Sequence, residues 1–444
     1  MISNTLFIIV LILYNKYNLS LPVNVVLPFD RQLSSSTHTP TSLLSELTDT
    51  SAGVHVCIGD EPAQCLQLSL HMNEHATWLI SSSSSQSQRK SHTKYNKAQS
   101  NTYKCVDPTL YYFSLLQYQN GYISQDTFTF TSSTTCGVTI PNYTFLLCEQ
   151  YNYIDRNSGV LGLAINSNAH HFLSKANFLS QLNTHHNYTI PLQFSFEYND
   201  YAVRSSAVSE GLSDISALAK GNVVIGSQLY KGRYVNDNIL KSRNDMYIWG
   251  GHIRSVSFRS GGSGAVVVDE PFQYELTFEF GYVLVPGRVH VLMKELFFKR
   301  MKQSETCNEI TFRTFYYGYV CDMNKEEEII RRFPQMEIEF DYGNVVLHGK
   351  DVFVKDSATN MIVCLLVFPS EEYSSARWKL GAPFFKRQYM LFHYDNHTIS
   401  YYTGNPSSDV TRMKWIILVY TSVLCTVWCV LMLFVFKLFI YKYK

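Results

Sequence analysis

The sequence predicts a mainly all-β protein carried by one C-terminal membrane helix. Three observations predict it. Aromatic residues make up 14% of the 444 residues, with 31 Tyr and 28 Phe. From Val54 to about Thr403, short apolar segments alternate with Ser, Asn and Gly turn residues, and aromatic and β-branched runs of this kind favour strands. Trp415 to Phe436 (WIILVYTSVLCTVWCVLMLFVF) is uncharged, shows no polar face, and is long enough to span a bilayer as a helix. The chain is long enough for two or more domains with sizeable cores. Its net charge is +1 and 16% of its residues are charged, which excludes the electrostatic footprint of a nucleic-acid binder.

Taken in order, Thr5 to Tyr14 (TLFIIVLILY) has the length of a signal h-region, so residues 1–20 read as a secretory signal. The positive n-region is missing, which leaves cleavage or retention open. Residues 21–53 are Ser/Thr/Pro-rich without periodicity and read as a linker or pro-segment, with regular structure expected from Val54 onward. Ser81 to Tyr103 reads as a polar loop between strands. Residues 202–220 carry few large apolar side chains and read as a connection between two halves, 54–201 and 221–405. One helix is predicted at Arg288 to Lys302, where Val289, Leu292, Leu296 and Phe297 share a face. NKEEEIIRR reads as a solvated turn or short helix. Lys437, Lys442 and Lys444 follow the span, while Arg412 and Lys414 precede it, so the positive-inside rule favours a cytosolic tail, 437–444, by a narrow margin. With the N-terminal signal this gives a single-pass type I protein of the secretory pathway or cell surface.

Of the ten Cys, Cys425 and Cys429 lie in the span. The other eight are Cys57, Cys65, Cys105, Cys136, Cys148, Cys307, Cys321 and Cys364. An even number in an oxidising compartment suggests disulfides whose pairing the spacing alone does not fix. Asn142, Asn187 and Asn396 open N-Y-T, N-Y-T and N-H-T, the pattern of glycan acceptors.

His71 to His75 (HMNEH) fits H-x-x-E-H, in which a helix places two His ligands of zinc on one face. The flanks LQLSL and TWLIS alternate like strands instead, and no third ligand helix is evident, so no metal is expected. The His pairs in NAHHF and NTHHNY read as solvated loops.

Several segments, in the right order from Val54 to Tyr402, resemble the pepsin-like (A1) aspartic protease family. VCIGDEPAQCLQLSLH resembles its opening hairpin through Ile58, Gly59, Pro62 and Gln64. ATWLIS resembles the strand that carries the family's Trp, here Trp78. SNTY (Ser100 to Tyr103) is similar to its S-x-T-Y. QYQNGYISQDTFTF resembles the flap hairpin, with Tyr118 in the flap-tyrosine position and Gly121 and Asp126 following. SGVLGLA (Ser158 to Ala164) resembles G-I-L-G-L. In the second half, GNVVIGSQ, YIWGGHIRSVSF, VCLLVF and WKLGAPFFKRQYMLFHYDNHTISYY resemble successive strands, the last ending near the family's terminal Asp at His393 or Asp395. The resemblance implies a bilobal pepsin-like acid protease fold with lobes 54–201 and 221–405 and no cofactor. It also implies a cleft that accepts a peptide or protein ligand, a bridge between Cys321 and Cys364, and a candidate bridge between Cys57 and Cys65.

In that family each lobe supplies one D-T-G loop, and the first Asp stands seven residues before the Trp. Counting back from Trp78 gives His71, with Met72 and Asn73 in place of Thr and Gly. The second loop has two registers. The strand AVVVD puts Asp269 at the catalytic position, followed by Glu270 and Pro271. Counting back from Pro286 in VLVP puts Thr277 there. Neither register holds an intact D-T-G. The family's chemistry needs two facing carboxylates that share one proton and hold one water. Three readings follow: an inactive homologue that binds peptides or proteins in its cleft, an acid endopeptidase using His71 with Asp269 in the manner of histo-aspartic proteases, and a structural or adhesive surface protein.

Overall fold

The computed structural model describes residues 24–402 apart from 32, 34–38, 50, 84–92, 113–119, 132–136, 151–156, 166–174, 187–189, 199–210, 227–233, 239, 242–246, 261–264, 313–314 and 371–376. The signal, the 415–436 run, the tail, Tyr118, Cys136 and Asn187 therefore lie outside the described residues. Among the described residues no helix is long and apolar enough to cross a membrane.

The first half runs β1 (Val25–Asp30), α1 (Pro40–Asp49), β2 (Gly53–Ile58), β3 (Gln64–His71), β4 (Trp78–Ile80), β5 (Lys104–Tyr112), β6 (Asn120–Phe130), β7 (Val138–Gln150), β8 (Gly159–Gly162), α2 (Phe178–His185), β9 (Gln193–Tyr198) and β10 (Lys220–Ile225). Next come β11 (Tyr234–Asn238), β12 (Leu240–Lys241), β13 (Tyr247–Ile248), β14 (Gly250–Arg259), β15 (Val266–Val268), β16 (Phe272–Leu276) and β17 (Val283–Leu284). A helical stretch follows as α3 (Gly287–Met293), a π-turn (Lys294–Phe298) and α4 (Lys299–Gln303). The chain continues through β18 (Cys307–Phe312), β19 (Tyr316–Asp322), α5 (Glu326–Arg332), β20 (Gln335–Phe340), β21 (Gly343–Leu347), α6 (Gly349–Val352), β22 (Phe353–Asp356), β23 (Met361–Cys364) and β24 (Leu366–Pro369). It closes with β25 (Arg377–Leu380), α7 (Ala382–Arg387), β26 (Met390–His393) and β27 (Thr398–Tyr402).

The fold is mainly β, as the composition predicts. A 13-stranded sheet has the order β11-β27-β26-β9-β10-β1-β2-β3-β8-β4-β7-β6-β5. A 12-stranded sheet runs β21-β20-β14-β16-β25-β17-β24-β19-β23-β22, with β15 on β14 and β18 on β19. The first sheet draws strands from the start, middle and end of the chain. An aromatic cluster joins the sheets: Phe196 stacks on Phe278 at 3.8 Å between centroids, and Phe385 meets both edge-on at 5.4 Å. A fully buried aromatic ring of this kind contributes about 1.5–3 kcal/mol through area removed from water.

The predicted helix forms, spread over α3, the π-turn and α4, with Val289, Phe297 and Met301 buried. NKEEEIIRR becomes a 3₁₀ turn at Met323–Lys325 followed by α5, anchored by buried Ile329. Structure does not begin at Val54, however. β1 buries Val25, Leu27 and Phe29 on one side, a period-2 pattern short enough to be lost among the neighbouring Ser and Pro residues. α1 buries Leu43, Leu44 and Leu47, and the Thr39 hydroxyl at its start accepts from the Ser42 amide at 3.2 Å.

The cysteines require one correction. Cys57 and Cys65 face each other across β2 and β3 and are bridged. Cys321 is bridged to Cys307 rather than to Cys364. The reason is register: Cys307 lies directly opposite Cys321 in the β18–β19 hairpin, whereas Cys321 faces Ile362, and Cys364 faces Phe353. Cys364 is a buried thiol.

Candidate functional site

Two loops of the same construction meet between the sheets. In the first, β3 leads through Met72–Thr77 into β4, and β8 threads between them, parallel to β3 and antiparallel to β4. In the second, β16 leads through Thr277–Tyr282 into β17, and β25 threads between them in the same two senses. Gly162 and Gly381 mark corresponding points. A Cβ on Gly162 would lie 2.5 Å from the Glu74 carbonyl oxygen and 2.7 Å from that of Ala76. A Cβ on Gly381 would lie 2.5 Å from the Phe280 carbonyl oxygen and 2.1 Å from that of Tyr282. Both threading strands therefore need glycine where the loop backbone crosses them. The matched contacts align Glu74 with Phe280 and Ala76 with Tyr282, and so align His71 with Thr277.

His71 ends β3, half-buried, and its carbonyl accepts from the Leu163 amide at 2.8 Å. The residues after it form bends rather than a helix, so His71 and His75 do not share a helix face. Among the described residues no group of three or more His, Cys, Asp or Glu could hold a metal ion. Thr77 fixes the loop's far end: its hydroxyl pairs with the Tyr143 hydroxyl at 2.7 Å, and its amide donates to the Ala176 carbonyl at 2.8 Å. Asn177 donates to the carbonyls of His75 and Ala164 at 2.9 and 3.2 Å.

Thr277 is 1% exposed, and its amide donates to the Leu380 carbonyl at 3.1 Å. Its buried hydroxyl has no hydrogen-bond partner among the described residues. Asp269 lies elsewhere, exposed in the break between β15 and β16, which pair one after the other with β14. A strand rises about 3.3 Å per residue, so β16 alone puts roughly 16 Å between that break and the loop. The backbone frame of the second loop thus matches the register that starts at Thr277 and leaves Asp269 before β16. The chain spends the extra residues before Pro286 on β15, which pairs with β14 ahead of β16.

Side chains join the first loop to the strand that enters the second. Asn73 donates its amide to the Glu275 carboxylate. Arg377 lies 3.8 Å from the same carboxylate. Glu279 is 7% exposed. Loss of hydration pushes its carboxyl up to about 8, and Glu275 adds to the rise, while its own amide, Lys379 and the Met72 amide hold it down. Glu74 in the first loop is crowded by protein, and burial pushes it up to about 7. Trp249 donates Nε1–H to the Leu163 carbonyl at 3.0 Å, tying the second half of the chain to the end of β8, the strand that threads the first loop. Glu279 and Glu74 stand two and three residues after Thr277 and His71, where a reading confined to D-T-G substitutions did not look. The two loops carry an imidazole at His71, a buried hydroxyl at Thr277 and carboxyls at Glu74 and Glu279 that burial makes harder to ionise.

Gly121 is buried in β6, and a Cβ there would lie 2.6 Å from the Leu147 carbonyl oxygen of β7. Asn142 and Asn396 are exposed, the first in β7 and the second in the turn between β26 and β27. The family model described as eukaryotic aspartyl protease matches residues 54–260, a span that includes the first loop and ends before either register of the second. No curated protein matches the chain.

Proposed function

We propose, supported by the match of residues 54–260 to the family model described as eukaryotic aspartyl protease, that the protein is a non-hydrolytic relative of the pepsin-like enzymes whose inter-lobe cleft binds an extended peptide or protein segment. One observation carries this reading: the two symmetry-related loop positions hold His71 and Thr277. A threonine hydroxyl does not ionise in the range where a carboxylate dyad shares a proton, so no base of the family's kind faces the water that would attack a peptide bond. The paired loops and the antiparallel β5 and β6 support the reading, since a cleft of the family's kind would take an extended ligand that pairs by backbone and fills pockets with alternate side chains. In this reading the 415–436 run anchors the body to a membrane of the secretory pathway, and the exposure of Asn142 and Asn396 suits them to carry glycans. An acid endopeptidase built on His71 and Asp269 is disfavoured by the position of Asp269.

The test is digestion of a peptide library by the full chain from pH 3 to pH 7, read by mass spectrometry, beside His71→Ala and Asp269→Asn. No cleavage at any pH from folded protein, with peptides retained through gel filtration, is the expected result. Cleavage abolished by His71→Ala would overturn the proposal. Asp269→Asn should change nothing.

A further inference from the structure

The N-terminal segment touches the second loop and the strand that enters the first. β1 pairs with β10 along its whole length, from Val25 opposite Ile225 to Asp30 opposite Lys220. On its other side Phe29 and Asp30 pair with Val54 and Gly53 of β2. The Phe29 ring packs edge-on against Phe278 of the second loop at 4.8 Å and against Tyr198 at 5.6 Å. A Cβ on Gly221 would lie 2.5 Å from the Phe29 ring, so β10 is cut to receive it. Arg31 is 2% exposed, and its guanidinium donates to the carbonyls of Glu279 and Phe278 at 3.0 and 3.3 Å. A buried guanidinium on loop carbonyls is costly to withdraw, because the carbonyls lose a charge-assisted donor.

α1 continues the contact. Leu44 and Leu47 are fully buried, and a Cβ on Gly318 or Gly281 would lie 2.5 Å from Leu44 Cδ1 or 2.8 Å from Leu47 Cδ2. The Leu47 carbonyl accepts from the Gly281 amide at 3.3 Å, just past Thr277. Five residues on, the Ala52 carbonyl accepts from the Leu70 amide at 2.8 Å, just before His71. One stretch of chain thus fastens the entry to the first loop and the exit from the second.

We propose that residues 24–53 are a permanent strap that sets the spacing of the two loops, so that the competent protein keeps this segment and losing it dismantles the loop pair instead of uncovering a site. The proposal goes beyond the cleft-binding reading and stands or falls separately from it, because its readout is folding and association, not peptide capture. The experiment inserts a specific protease site after Thr50 in the full chain, nicks the purified protein, and follows the pieces by gel filtration, mass spectrometry and near-ultraviolet circular dichroism. The released segment is expected to co-elute with the remainder at native circular dichroism. Loss of the segment together with loss of the near-ultraviolet signal supports the strap equally, because the remainder then fails without it. A segment that leaves while the remainder keeps its native signal and elution volume overturns the proposal.

Discussion

Glu279 gives the sharpest prediction. In the folded chain its carboxyl titrates near 8, against an ordinary value of 4.5, because burial penalises the charged form. Between those two values the unfolded chain has released the proton while the folded chain still holds it. The stability this carboxyl contributes therefore falls as pH rises through this window and is fully gone only above the folded value. The span between 4.5 and 8, at 1.36 kcal/mol per unit, sets a ceiling of about 5 kcal/mol. Relaxation around the ionised group should leave a few kcal/mol, still a large share of the roughly 5–15 kcal/mol that holds a domain together. Glu279→Gln keeps the shape of the neutral acid and cannot ionise. Urea unfolding of the full chain at pH 5 and pH 8.5 should show wild type losing a few kcal/mol and the variant losing distinctly less. Glu74 and Glu197 of β9, which burial also pushes up to about 7, add to the loss in both proteins. A variant with the full wild-type loss would refute the assignment of the titration to the loop junction.

Two further outcomes follow from the same frame. Gly162→Ala drives a methyl group into the Glu74 and Ala76 carbonyls and should cost about 1–3 kcal/mol or more, measured by thermal unfolding; an unchanged melting temperature would mean that the first loop is loosely held. Non-reducing peptide mapping should recover Cys307 linked to Cys321, with Cys364 alkylated only after denaturation, since burial pushes its thiol up to about 12. A Cys321–Cys364 peptide in its place would count against the register of β18 on β19.

Much of this was legible in the residues, and the failures share a physical pattern. Long alternating strands and the Arg288 helix declare themselves because their period extends over many residues. His71 was found by counting from Trp78 because the first loop has kept its length. The second loop could not be fixed that way, since both registers satisfied the local pattern. Only the pairing of β16 with β25 separates Thr277 from Asp269. Arg31 was hidden by its context: a six-residue strand in a Ser- and Pro-rich stretch resembles a linker until its partners, nearly two hundred residues away, are in place. The Cys321 partner was carried over from resemblance, whereas the hairpin register that decides it is a property of the fold.

The make-up of the first sheet has a consequence for synthesis. β9 rests against β26 on one side, and β26 is completed by β27, the last described strand. At about 5–20 residues per second, roughly 10–40 s separate the emergence of Tyr198 from that of Tyr402. Throughout that interval one edge of the growing sheet is a row of unpaired amides and carbonyls, open to any passing strand. The nascent chain must be shielded until its final hairpin arrives, which makes its folding in the cell a matter of timing and chaperone occupancy as much as of sequence.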